Sequence, residues 1–574
     1  MSKIQTKDVL PEELCFTVAV VAKAAIDNPP DHLRAPASSP DDELGEVVDW
    51  WSCAREAWLQ GVCVHLSIDS RILPLEPSVS DARSLAGPIS NNDYHKIASA
   101  LLTATIASPK VKEEVNIRSP DDNASEAIAR AFGYTAASRA FLVRTLGLLL
   151  IPTSVLLEVE ESLGRDLFRE LREAEMKEKS EAARREQEHG WGGRWARWAA
   201  TGGGVIFGGV ALGLTGGIAA PVLLPFLPFL SASSAPIVLG YLFGIAGGGL
   251  TGSRVRKRWG GVEHFEFKQI SGSSQDSTDR EKLPYAVYRR KGPILSEDAT
   301  VPENRQERKE EKQAPPSLVA TICIPGLTVD SEDEGLCAYR DALVTTLAKP
   351  SRDVFVLKHS PDVMLTTGQT LDTWVTDKLL TNAGKEVLAR TAFNAVLAAV
   401  SFPMTIYSAA GLALDNHWIR ASDKARKAGS LLSEVLKEKV QGERPVTMVG
   451  SSLGALALFR ALIVLAESSE VKEPLIDSVF LISLPQVVSL QEWAKVRKVV
   501  GRRIVNVYSS QDFVLASVGR LHEVVNGAGF GGMAGLNAVG VHGIEDIDMS
   551  EIVGGHFDIN NNMAKLLEPL HVNR

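Results

Sequence analysis

Cysteine is scarce in this chain, with five in 574 residues. Cys15, Cys53, Cys63, Cys323 and Cys337 form no CxxC pair and keep no regular spacing. That pattern argues against a disulfide scaffold and a zinc ribbon, and a reducing compartment is expected. A basic excess is missing as well. The 61 Lys and Arg residues stand against 70 Asp and Glu, a net charge of −9. A nucleic-acid binder carries the opposite bias, so nucleic acid is not expected as a partner. The opening MSKIQTKDVLPEELC places acidic side chains before any apolar run develops. It lacks the basic-then-apolar order of a secretory leader. Neither HExxH nor GxxxxGK[ST] occurs, and no metal or organic cofactor is implied.

The longest absence is local. Residues 198–253 contain no Asp, Glu, Lys or Arg, whereas one spanning helix needs only about 20 apolar residues. Pro221, Pro225, Pro228 and Pro236 cluster near the middle of this stretch. The pattern predicts a hairpin of two transmembrane helices, 201–220 and 235–251. Gly204, Gly208, Gly209, Gly213 and Gly217 give overlapping GxxxG spacings, which let helix backbones approach closely in lipid. Arg194 and Arg197 precede the stretch, and Arg254, Arg256, Lys257 and Arg258 follow it. Both flanks are therefore expected on the cytosolic side of an intracellular membrane.

With 45% apolar and 23% charged residues, the rest reads as ordinary globular protein. A prior of about 150 residues per domain suggests roughly three to four domains. Residues 1–150 read as a helical region, with loops at 38–43 and 74–80. Residues 151–197 read as a charged helix or short coiled coil, with Leu163, Leu167, Leu171 and Ala174 at helical spacing. The hairpin follows, then a connector at 254–270. A polar linker is expected at 271–316, where apolar residues are few.

From residue 317 to 574 the texture changes. Short β-branched runs at 318–324, 354–357, 446–449, 479–482 and 504–508 read as buried parallel strands. Helical patterns fall between them, at 336–347, 372–390, 419–440, 453–467 and 490–498. This alternation predicts an α/β, doubly wound sheet. A second charge-free stretch, 391–414, reads as a lid-like or membrane-docking helical segment; a buried crossover helix is the plainer alternative.

The strand at 446–449 runs into Gly450-Ser451-Ser452-Leu453-Gly454, and a helical pattern begins at once. GxSxG between strand and helix forces its central residue into a sharp turn and projects the side chain above the sheet. That residue is Ser452, the candidate nucleophile; a helix-capping serine is the plainer reading. The backbone N–H of Leu453 is then a candidate oxyanion donor. A serine nucleophile needs a base, and the base an orienting carboxylate, here in the order Ser, acid, His. Asp512 lies just past the second strand after the elbow and is the favoured acid, with Asp546 and Asp548 as alternatives. His522, His542, His556 and His571 all follow it. His556, in GGHFD before a final helix, is the favoured base. Gly326 and Leu327, just past the strand at 318–324, are candidates for the second oxyanion donor.

Several stretches together resemble a known family. They are GGGLTGS at 247–253 with RVRKR, GGVEHFEF at 260–267, LDNHW at 414–418, RPVTMVGSSLG at 444–454, VYSSQD at 507–512 and the GH pair at 555–556. The pattern is similar to the eukaryotic membrane-associated α/β-hydrolase-like family that includes transmembrane and coiled-coil domain-containing protein 4 and its fungal relatives. The likeness runs from about residue 133 to the end, with 271–316 as an insertion. It implies an α/β-hydrolase fold and a lipase-like triad falling on Ser452, Asp512 and His556. One departure is IPGLT at 324–328, where the family pattern has SGWL. The expectation is a membrane-anchored serine hydrolase, a lipase or esterase, with lipid or other ester substrates and the bilayer as partners. The competing reading is a non-catalytic scaffold or trafficking adaptor, recruiting proteins through the charged helix and the linker.

Overall fold

Seven strands form one sheet in the order β1-β3-β2-β4-β5-β6-β7. They are β1 (Phe265–Gln269), β2 (Ala320–Ile324), β3 (Asp353–His359), β4 (Val446–Ser451), β5 (Ile476–Ile482), β6 (Ile504–Tyr508) and β7 (Glu545–Asp548). The structure is a computed structural model that describes residues 10–34, 47–87, 89–107, 133–188, 238, 242–243, 264–270, 316–346, 353–380, 409–516 and 532–572. From β3 through β7 the pairing is parallel, and only β1 runs antiparallel, with Phe265 opposite His359. The protein is thus mixed α/β with a mostly parallel sheet.

Strands β2, β4 and β5 are buried at every position. Parallel strands covered by helices on both faces need such runs. The two edges are written differently. β1 alternates buried Phe265 and Phe267 with the more open Glu266 and Lys268. β7 has the sequence EDID and no fully buried residue, a polar edge that discourages pairing with another chain. Neither edge strand was among the five expected from β-branched runs. The expected strand starting at 318 begins at Ala320, and those starting at 354 and 479 begin earlier, at Asp353 and Ile476.

Helices of the N-terminal half are α1 (Glu12–Asp27), α2 (Asp49–Leu66), α3 (Val79–Ala86), α4 (Asn91–Ile106), α5 (Ala136–Leu148) and α6 (Thr153–Glu188). Trp51, Trp58 and Phe141 meet at the centre of their core, and Trp51 Nε1 donates to Ile26 O at 2.9 Å. The stripe Leu163, Leu167, Leu171 and Ala174 of α6 is buried in this core. The first half of the charged helix is therefore a packed element, not a free rod. The expected apolar hairpin lies outside the described residues, except Val238, Leu242 and Phe243. Those three are buried in the helical core, Phe243 against Phe168 at 5.7 Å. The linker at 271–315 and most of the 391–414 segment also lie outside the described residues. Among the described residues no helix is long and apolar enough to cross a membrane.

The helices that follow are α7 (Glu334–Arg340), continued by a wide turn to Thr346, α8 (Pro361–Leu380), α9 (Ala409–Lys437), α10 (Leu453–Glu467), α11 (Leu490–Arg497), α12 (Asp558–Asn561) and α13 (Met563–Leu570). α9 and α10 cover one face of the sheet, while α7 and α13 cover the other. Gly429 sets the α9–α10 approach, since a Cβ there would lie 2.2 Å from Ala457 O. α10 reads LGALALFRALIVLAE and buries eleven residues. A helix apolar on nearly every side belongs inside a fold.

Candidate active site

β4 ends at Ser451 and α10 begins at Leu453, so Ser452 alone makes the turn between them. Its backbone stands at φ 54° and ψ −128°, a region that residues with a Cβ avoid. The surroundings hold it there. Ser452 N–H donates to Ile482 O at 2.8 Å, at the end of β5. A Cβ on Gly450 would lie 2.7 Å from Ala455 Cα, and one on Gly454 would lie 2.0 Å from Ile324 O. Backbone crowding therefore demands both glycines of the motif.

Ser452 Oγ lies 2.6 Å from His556 Nε2, and His556 Nδ1 lies 2.7 Å from Asp512 Oδ2. Asp512 Oδ1 accepts the Leu515 N–H at 3.0 Å, which fixes the carboxylate plane. A carboxylate beside Nδ1 favours the tautomer with its proton on that nitrogen. Nε2 is then free to accept the serine proton. Ser452 and His556 are each 4% exposed and Asp512 is fully buried. Ser509 ties the acid loop to the histidine loop. Its hydroxyl donates to Val553 O at 2.9 Å and accepts the Gln511 N–H at 3.2 Å.

The other candidates stand elsewhere. Asp546 and Asp548 lie on β7. Asp546 accepts from Asn506 and from the Val539 and Gly540 N–H groups, and Asp548 accepts from Ser550. His542 Nε2 is 2.8 Å from Asp31 O. His571 follows α13, and His522 lies outside the described residues.

Pro325 and Gly326 lie directly against the elbow. A Cβ on Gly326 would sit 2.5 Å from Ser451 O, 2.6 Å from Ser452 Cβ and 2.8 Å from Leu453 N. Glycine at 326 thus keeps the space beside the Leu453 N–H open. That N–H opens α10, where the first-turn amides lack intrahelical acceptors and carry the positive end of the helix dipole. Leu327, next in sequence, is 5% exposed.

Two other reactive side chains are buried near these strand ends. Burial pushes the Cys323 thiol far up, so it is not a competing thiolate. His359, at the end of β3, is fully enclosed, and neither ring nitrogen has a partner among the described residues. Desolvation lowers its pKa from 6.5 to about 4. No group of His, Cys, Asp and Glu among the described residues is arranged to hold a metal ion. Sequence reasoning passed over Ser509, Glu334 and Asn560. Of these, only Ser509 carried a local signal, its place in VYSSQD.

A strand–serine–helix turn with this relay defines a class of site. The chain itself belongs to the family described as Protein of unknown function (DUF726), whose profile matches residues 193–573. It is similar to the transmembrane and coiled-coil domain-containing protein STS1 of Oryza sativa subsp. japonica. The identity there is 29% over 510 residues, covering 85% of this chain and 67% of the relative. It is also similar to the "Probable lipase MIL1" of Saccharomyces cerevisiae, 31% identical over 252 residues, 44% of this chain and 22% of the relative. An uncharacterized membrane protein of Caenorhabditis elegans is 26% identical over 344 residues, 60% of this chain and 48% of the relative. The chain thus spans about two thirds of the rice protein and under a quarter of the yeast one. Relatives of this chain are named as membrane proteins, and one as a lipase. No solved structure matches the chain.

Proposed function

We propose that this protein is a membrane-associated serine hydrolase of α/β-hydrolase architecture that cleaves lipid esters. The observation that carries this reading is the relay Ser452–His556–Asp512 behind a serine at positive φ. Ser452 Oγ attacks the acyl carbonyl while its proton passes to His556 Nε2, and Asp512 stabilises the imidazolium formed. The new oxyanion takes hydrogen bonds from the Leu453 N–H and from a backbone N–H of the 326–327 loop. Collapse of the intermediate breaks the ester C–O bond, and His556 returns the proton to the leaving alcohol. Water then repeats the sequence on the acyl-serine and releases the fatty acid.

The charge-free 198–253 segment supports attachment to the bilayer, with both flanks and the hydrolase half cytosolic. Val238, Leu242 and Phe243, within the second expected span, are buried in the helical core, so bilayer contact is assigned to the rest of the segment. The names of the rice, worm and yeast relatives agree with a membrane setting and with lipase chemistry.

A fluorophosphonate probe tests the reading. The wild type is expected to label at one serine, and Ser452→Ala to lose the label while keeping its fold. Equal labelling of the variant would move the nucleophile elsewhere. An unlabelled wild type would favour the scaffold.

A further inference from the structure

Glu334 opens α7 and is 6% exposed, yet no basic side chain is bonded to it among the described residues. Its carboxylate is filled by N–H donors. Oε2 accepts the Val329 N–H at 2.6 Å and the Asp330 N–H at 2.9 Å. Oε1 accepts Asn560 Nδ2 at 2.7 Å. Asn560 also reaches Leu327 O, at 3.3 Å. The two ends of this bridge are the two loops that the proposed chemistry needs. Val329 and Asp330 close the 325–330 loop that carries Gly326 and Leu327. Asn560 sits on α12, four residues after His556. An acidic side chain is costly to bury, and three N–H donors are the kind of arrangement that compensates it.

The same loop is confined on its other sides by backbone contact. A Cβ on Gly335 would lie 2.3 Å from Pro325 Cβ, and one on Gly368 would lie 2.0 Å from Thr328 O. Gln369 Nε2 donates to Val329 O at 3.1 Å. These contacts limit where the loop can go, but none of them bonds its N–H groups at 329 and 330. The Glu334 carboxylate is the only group among the described residues shown bonding the loop's N–H groups at 329 and 330.

We infer that Glu334 is a positioning residue: through its bonds to Val329, Asp330 and Asn560 it latches the oxyanion loop to the histidine loop, holding the 326–327 amides on the developing oxyanion. The inference rests on the serine-hydrolase reading above. Glu334→Gln preserves the shape, but it turns one acceptor oxygen into an NH2 that faces N–H donors. Asn560→Ala is the milder variant, cutting only the link between the loops.

The experiment compares full-length wild type, Glu334→Gln and Asn560→Ala, with active sites counted by fluorophosphonate titration. Three readouts are taken per labelled site. They are kcat and KM on p-nitrophenyl butyrate, the rate of phosphonylation, and inhibition by an alkyl trifluoromethyl ketone, whose hemiketal carries an oxyanion. Losing one oxyanion donor outright costs roughly 10²–10³ in kcat. Glu334→Gln should lower kcat and the phosphonylation rate by about tenfold, a part of that loss, with KM little changed. The ketone's inhibition constant should rise by the same factor. Asn560→Ala should move all three in the same direction by less. Such a pattern marks an interaction made in the transition state and not in the ground state. If Glu334→Gln merely lowers the fraction of folded enzyme, the per-site rates and the ketone affinity stay at wild-type values, and the inference is overturned. If the wild type takes no label at Ser452, the hydrolase reading fails and this inference fails with it.

Discussion

At the N-terminal ends of the parallel strands, buried charges close on one another; at the C-terminal ends, buried polar groups are left open. Arg139 from α5 bonds Glu160 of α6 at 2.8 Å and Asp477 at the start of β5 at 3.1 Å. Arg502, just before β6, bonds the same Asp477 at 2.6 Å, and the Tyr134 hydroxyl donates to Glu160. Two positive and two negative groups cancel there. Arg444, before β4, reaches Asp353 at the start of β3 and the Ser317 carbonyl before β2. Arg503 bonds Glu545 at the start of β7. Strand starts are thus stitched together, and the helical half is fastened to them. The opposite edge holds a strained serine, an open helix N-terminus and, in His359, an imidazole with no partner among the described residues. At the closed edge the four charges of this network answer one another, although Arg497 beside them leaves Nε and Nη1 without partners among the described residues. The open edge keeps groups whose partners a substrate has still to supply.

The largest effect should come from breaking the open edge at its carboxylate. Asp512→Asn should reduce ester hydrolysis by about 10⁴-fold, the cost of the equivalent exchange in a serine protease triad. His556→Ala should cost a comparable amount, and the double variant little more than either, because the relay works as one unit. Losses that multiply cleanly in per-site rates would separate the two residues and dissolve the open edge as a single device.

The closed edge answers to stability instead. Arg139→Met takes the buried cation away from Glu160, which keeps the Tyr134 hydroxyl, and from Asp477, which keeps Arg502 and the Ser478 hydroxyl. It should lower unfolding free energy by about 3–5 kcal/mol in a denaturant titration. Fluorophosphonate labelling of the protein that remains folded should continue at the wild-type rate. A loss below about 1 kcal/mol would mean that the network is not what fastens the helices to the sheet.

A smaller effect should follow pH. An unfolded histidine takes up its proton near pH 6.5, whereas His359 in the folded chain resists until about 4. The unfolded state therefore binds more protons over that window, and stability falls as pH drops from about 6.5 towards 4. Each pKa unit is about 1.4 kcal/mol, so the contribution approaches roughly 3 kcal/mol at the acid end. His359→Leu should flatten the difference between unfolding midpoints measured at pH 7 and pH 4.5. A residual slope from His32 should remain, since burial followed by the charges of Arg497, Arg144 and Arg502 lowers it to about 3. An unchanged slope in the variant would show that His359 is reached by solvent or paired.

The sequence discloses some of these features and hides others for physical reasons. The interior parallel strands are legible because burial on both faces requires continuous β-branched runs such as ATICI and VFLI. The elbow is legible because Gly450 and Gly454 answer to crowding within a few residues of Ser452. β1 and β7 escape that logic. One shows a two-residue alternation over five positions, and the other, EDID, has no apolar run at all. Glu334 is hidden by its neighbours. In SEDEG at 331–335, nothing local separates it from Glu332 or Asp333, and only the fold turns it inward to three N–H groups. Arg139 and Asp477 are 338 positions apart, so no local pattern could join them. The leucine stripe of α6 was visible, but the core that receives it was not.

Strand β1 has a consequence for how this chain can change length. Fifty positions, 270–319, separate it from β2 in sequence (319 − 269 = 50). In the sheet, however, its five paired residues face β3, not β2. Its address is written in its partner and not in its tether. For a freely varying connection, each doubling of length costs only about 0.6 kcal/mol in closure entropy. The end of the stretch is fixed, since Arg444 holds the Ser317 carbonyl and Leu318 and Val319 are buried; before it, evolution can change the length as editable text between two fixed words, and an engineer placing a reporter there would be using the same freedom.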